Sequence, residues 1–149
     1  MSTTRTKINR VLREHTALTY NGFEGTGATG FTDRRAALLS PDAITQVEAC
    51  IAYLGHVRKT ATVGSKAPHS YALKHRVEEW SGANGGVSYV ANGSFIVAAL
   101  VEGVPVERSG LNAYVGLYVR DVEALRVWTE ALDSERRRGV VVLHAGATS

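Results

Sequence analysis

Apolar residues recur at helical spacing in five stretches of the chain, and the breaks between them carry glycine, proline or short polar residues. In the first stretch, Ile8, Val11, Leu12, His15 and Leu18 share one side while Lys7, Arg10 and Arg13 project from the other, which predicts an amphipathic helix over 4–19 with a basic face. Ser40-Pro41-Asp42 offers a capping hydroxyl, a first-turn proline and an acid near the positive helix end. The helix predicted there runs over 41–59, with Ile44, Val47, Cys50, Ile51, Leu54 and Val57 as its stripe. Ser70 is expected to cap a shorter helix over 70–80 that buries Leu73, Val77 and Trp80. Asn92 is expected to cap a helix over 93–102, where Phe95 to Val101 is apolar on nearly all sides and so belongs at the centre of the core. Asp121 opens the last helix, to about Arg137, with Val122, Leu125, Trp128 and Leu132 facing inward.

Residues 104–108 and 111–120 read as two strands joined at Ser109-Gly110 in a hairpin, the second with strict alternation. In the second, Leu111, Ala113, Val115, Leu117 and Val119 form an aliphatic face, and Asn112, Tyr114, Gly116, Tyr118 and Arg120 form an aromatic and basic one. The β-branched run 140–143 suits a third strand beside the hairpin, and 145–149 reads as a short tail. Four glycines between Asn21 and Thr32 deny that stretch a regular helix, so 21–32 is expected to be a flexible loop. The expected architecture is one α+β domain over 1–149, with about five helices packed on a small, mainly antiparallel sheet of two or three strands.

Composition narrows the functional classes. A length of 149 residues with 44% hydrophobic and 21% charged content suits a globular domain and excludes disorder. The longest apolar run falls far short of the roughly 20 residues a membrane span needs, and the first residues lack a secretory apolar region, so a cytoplasmic protein is expected. Cys50 is the only cysteine, which excludes an internal disulfide and any multi-cysteine metal centre. Seventeen basic against fourteen acidic side chains give a formal charge of +3, compatible with phosphate contacts without demanding them.

Local motifs add little chemistry. Gly25-Thr26-Gly27-Ala28-Thr29-Gly30 fits G-x-G-x-x-G, but Pro41 follows too soon for a dinucleotide fold; a loop holding phosphate with Arg34 and Arg35 is the subtler alternative. His69 and His75 stand six apart with a helix start between them, a poor metal-ligand spacing, and His75 with Glu79 reads as a surface pair. Cys50 lies on an apolar stripe and reads as a core residue. No metal or cofactor is expected. The segments over 70–120 follow the order of a winged helix-turn-helix, but the link between the helices is too long and the second helix too apolar to read a groove.

If nucleic acid is the partner, the expected phosphate contacts are Lys7, Arg10 and Arg13; Lys74 and Arg76; and Arg136, Arg137 and Arg138. Tyr114, Tyr118 and Arg120 on one strand face are candidates for stacking on unpaired bases.

Ser70-Tyr71-x-Leu73-Lys74-His75-x-x-Glu78, Tyr89-Val90-x-Asn92-Gly93 with Ile96, Ala98 and Ala99, and Leu111-Asn112-Ala113-Tyr114 together resemble a pattern in small uncharacterised phage- or plasmid-borne proteins. The resemblance spans roughly the third quarter of the chain and implies an accessory role in a mobile element. It brings forward Tyr71, Lys74, His75, Glu78 and Asn92 as polar candidates. The leading expectation is a small accessory protein that binds nucleic acid mainly through phosphates. The alternative is a protein-interaction module, either an inhibitor of a host enzyme or a self-associating chain. An enzyme built around His75 and Glu78 comes third.

Overall fold

Ile8, Val11 and Leu12 are buried along one side of the first helix, α1 (Thr3–Glu14), as their spacing predicts. The structure, a computed structural model, describes residues 3–139; the strand expected over 140–143 and the tail over 145–149 lie outside the described residues. α1 stops short of the expected end because the chain turns back into a hairpin, β1 (Leu18–Thr19) paired antiparallel with β2 (Gly22–Phe23). The Arg35 guanidinium secures this exit by donating to the carbonyls of Leu12, His15 and Leu18.

The expected loop over 21–32 is therefore only partly irregular. It begins with β2 and ends in a short helix, α2 (Phe31–Ala37), entered through Gly30 at φ 78°. The second helix predicted from sequence is α3 (Pro41–Leu54), where the Ser40 hydroxyl accepts from the Ala43 N–H at 3.2 Å and Pro41 opens the first turn. It ends at Gly55 rather than near Lys59, and residues 58–60 run extended along 116–118: Thr60 N–H donates to the Gly116 carbonyl and Tyr118 N–H to that of Arg58.

α4 (Ser70–Ala83) leads to α5 (Asn92–Val101), whose residues Asn92 through Ala99 are all buried, confirming the central helix. α3 and α4 pack directly on α5, and α1 covers its other flank. The hairpin β3 (Val106–Ser109) and β4 (Asn112–Val115) pairs Val106 with Val115 and Ser109 with Asn112. α6 (Val119–Arg137) then packs on α4. The fold is α+β, with six helices and two separate two-stranded antiparallel sheets among the described residues. No helix among them is long and apolar enough to cross a membrane.

Two local expectations change. The second strand is less than half as long as its alternation suggested: Ala113, Val115 and Leu117 are buried, but Val119 and Arg120 already belong to α6, so Tyr114, Tyr118 and Arg120 do not share a strand face. Trp128, expected inward, is half exposed; Thr129 is the buried residue of α6.

Candidate functional site

Ala91, not Asn92, is the residue that precedes the first turn of α5, and this frees the Asn92 side chain to tie neighbouring elements together. Its amide nitrogen donates to the Asn21 carbonyl at 3.0 Å and to Asn112 Oδ1 at 2.9 Å. Its Oδ1 accepts from the Ser70 hydroxyl at 2.9 Å, and that hydroxyl in turn accepts from the Ala113 N–H at 3.0 Å. Ser70 likewise does not cap its helix; His69 holds that position. With both amide hydrogens spent and 6% exposure, Asn92 is a joint between both hairpins, α4 and α5.

One helical turn along α4, Lys74 Nζ donates to Glu78 Oε2 at 3.0 Å. Glu78 Oε2 also accepts from the Val90 N–H at 2.9 Å, and its Oε1 lies 2.9 Å from His75 Nδ1. Burial pushes the Glu78 carboxyl up, but the bonds from Val90 N–H, Lys74 and His75 outweigh it and hold the group below its ordinary value. Lys74 is 6% exposed, and its ammonium lies 5.3 Å from the Tyr71 ring centroid and 5.0 Å from that of Tyr89, both within cation–π range. His75 meets the Tyr71 ring edge-on at 4.9 Å.

Lys74 and Tyr71 open onto a cleft of about 300 Å³ that is lined as well by Tyr20, Asn21, Tyr89, Ala91, Asn92 and Leu111, with Glu78 and His75 behind it. The Tyr20 wall is fixed from behind: its hydroxyl accepts from Gln46 Nε2 at 2.9 Å, while Gln46 Oε1 accepts from the Ala91 N–H at 3.0 Å. Tyr71 and Tyr89 are each about half exposed at the rim. Tyr114 stands on the same side of β4 as Asn112, two residues along, with its ring 5.5 Å from that of His69. It is 42% exposed, and it is not among the residues that line the cleft.

No family model, curated protein or solved structure matches this chain. The site alone carries the functional argument.

Of the polar candidates, the structure gathers Tyr71, His75, Glu78 and Asn92 with Lys74 around one cleft. Two of the expected phosphate contacts have acidic partners within the chain. Lys74 is buried and committed to Glu78, and Arg76 is paired with Glu79 at 2.9 Å. Tyr118 sits before the first turn of α6 under the Arg58 guanidinium, 4.6 Å from its ring, and Arg120 lies within α6. Lys7, Arg10 and Arg13 remain exposed on one side of α1 with no ion pair among the described residues. Arg136 and Arg137 close α6, a helix that rests on α4, whereas α1 rests on α5 and α3, so the basic segments occupy different flanks.

The glycine-loop alternative loses its cations. Arg34 pairs with Glu24, and Arg35 is occupied by the carbonyls at the end of α1. Cys50 is fully buried, and burial raises its thiol pKa far above the ordinary value, as suits a core residue. Among the described residues no three His, Cys, Asp or Glu side chains gather as a metal site would. A larger hollow of about 440 Å³ beside Arg58, Lys59 and Glu102 is edged by groups already engaged, Arg58 with Asp121 and Lys59 with the Glu102 carbonyl. Sequence reasoning did not place Tyr20, Asn21 or Tyr89 at a site. Tyr89 falls within the resemblance; Tyr20 and Asn21 carry no local signal at all.

Proposed function

We propose that the protein is a small accessory protein that binds single-stranded nucleic acid, of the kind mobile genetic elements carry. Unpaired bases stack on its tyrosine face, and phosphates meet the exposed cations of α1. The observation that carries this reading is the pair of half-exposed rings, Tyr71 and Tyr89, at a cleft whose wall holds a buried lysine. Aromatic rings accept any base face, and a nearby cation favours the phosphate-bearing strand. The emphasis thus moves from phosphates alone to bases, because Lys74 is buried beside Glu78 and Arg76 is paired with Glu79.

Fluorescence anisotropy with labelled single-stranded and duplex oligonucleotides tests it. Single strands should bind at low ionic strength and micromolar protein, and Tyr71→Ala or Tyr89→Ala should each weaken binding by about 1–3 kcal/mol. Equal affinity for a duplex would refute the stacking surface. Absence of any shift, together with a concentration-dependent particle size, would favour the interaction-module alternative.

A further inference from the structure

α6 carries two apolar faces, and the fold covers one of them. Val122, Leu125 and Thr129 turn towards the body of the protein, where α6 packs on α4. Ala124, Val127, Trp128 and Ala131, spaced three and four apart on the other side, are all exposed, Val127 at 53% and Trp128 at 49%. Arg120 and Glu135 extend this stripe by a turn at each end, and at about 3.6 residues per turn the six positions fall within an arc of about 100°. We infer that the stripe is the contact between two copies of the chain, paired antiparallel across a two-fold axis that passes between Val127 and Trp128.

The stripe is complementary to its own reverse. In a two-fold contact each residue meets the partner residue that lies as far beyond the axis as it lies before it. That rule sets Ala124 against the partner's Ala131, Val127 against the partner's Trp128 and Arg120 against the partner's Glu135. Small residues face small ones and let the helices approach, the bulky pair fills the centre, and opposite charges close both ends. A parallel pairing would set each of these charges against its own kind. Arg120 and Glu135 form no ion pair among the described residues, whereas Glu123, Arg126 and Glu130 on the flank of α6 are tied to one another. The two-fold also keeps like edges together, so the indole of each Trp128 comes to the partner's Trp128 edge. A hollow of about 350 Å³ opens on that edge, lined by His56, Trp80, Asn84, Leu125 and Trp128, with room for an aromatic ring. One pair of helices about 28 Å long is a small interface, so a reversible dimer at micromolar concentration is expected.

Analytical ultracentrifugation of the full chain, from micromolar to millimolar concentration and without oligonucleotide, tests the pairing independently of the single-strand reading. The mean mass should rise towards twice that of the chain, and Trp128→Glu should hold it at one. Arg120→Glu and Glu135→Arg should each weaken the dimer about tenfold, and the two together should restore it, because the exchanged charges again face each other. All three positions are exposed, and circular dichroism verifies folding of each variant. The register has its own test under mild oxidation. Ala124→Cys mixed with Ala131→Cys should form a disulfide-linked pair, and neither variant alone should, because like positions lie about 10 Å apart along the helix axes. Cys50 is fully buried and leaves that assay clear. A particle that stays monomeric throughout overturns the proposal, and one whose Trp128 is nevertheless shielded from a soluble quencher assigns the stripe to another part of the same chain. A dimer that survives Trp128→Glu, that the double charge exchange does not restore, or that cross-links as readily through Ala124→Cys alone, overturns it as well.

Discussion

A methyl group has no room at Gly93. A Cβ there would stand 1.9 Å from the Thr19 carbonyl oxygen and 2.7 Å from the Tyr20 carbonyl carbon, backbone atoms that cannot rotate aside. The Gly93 N–H also donates to the Tyr20 carbonyl at 3.0 Å, so the close approach is bonded as well as tight. Gly93→Ala should cost more than about 3 kcal/mol in chemical denaturation. A loss below about 1 kcal/mol would mean that the turn after β1 yields to the added carbon. Tyr53 behaves in the opposite way. Its ring is buried edge-on to Trp80 at 5.8 Å, yet its hydroxyl has no hydrogen-bond partner among the described residues. Tyr53→Phe keeps the ring and removes the unpaired polar atom, so the denaturation midpoint should hold or rise, a gain in unfolding free energy of up to about 1 kcal/mol. A fall in the midpoint would reveal a bond that the hydroxyl makes.

Asp121 clasps the start of α6 to the extended segment after α3. Its carboxylate accepts from the Arg58 guanidinium and from the Arg58 backbone N–H, each at 2.9 Å, and these bonds lower its pKa to about 2. The folded value lies below the unfolded one, near 3.9, so the stabilisation is complete above about pH 4 and is lost as the pH falls through about 2. Asp121→Asn should flatten the acid limb of a Tm-against-pH profile between those values, with only a small decrease at neutral pH because the pair is exposed to solvent. An unchanged acid limb would show that the clasp does not contribute. The same residue shows what the sequence hides. Ser40 caps its helix as read, and the apolar run of α5 is central as read. Ser70, Asn92 and Asp121 look identical as cap signals, yet their side chains bond to other elements. A short polar side chain at a helix start has two competing uses, and its tertiary partner decides which one wins. α2 escaped because seven residues behind a glycine carry too little periodicity. The cleft was half legible: Tyr71, Lys74, His75 and Glu78 lie one turn apart on α4, but Tyr20, Asn21 and Leu111 join them only through the fold.

Under the proposed single-strand reading, phosphate contacts come from α1 and base contacts from the cleft, and this separates their signatures. Replacing Lys7, Arg10 and Arg13 together with glutamine should reduce the slope of log affinity against log salt by about 2 for a single strand, without altering base preference. An unchanged slope would move the phosphate contacts to the far end of α6, where Arg136 and Arg137 lie. The joint at Asn92 also implies an order of events. Its partners lie at residues 21, 70 and 112, so the bonds that shape the cleft span most of the described chain. Contacts between such distant residues form late, and synthesis from the N-terminus delays them until β4 has emerged. A nascent chain halted just before β4 would already carry Tyr20, Tyr71, Lys74, Tyr89 and the α1 cations, yet lack the Asn112 and Ala113 partners that tie Asn92 and Ser70 to the hairpin.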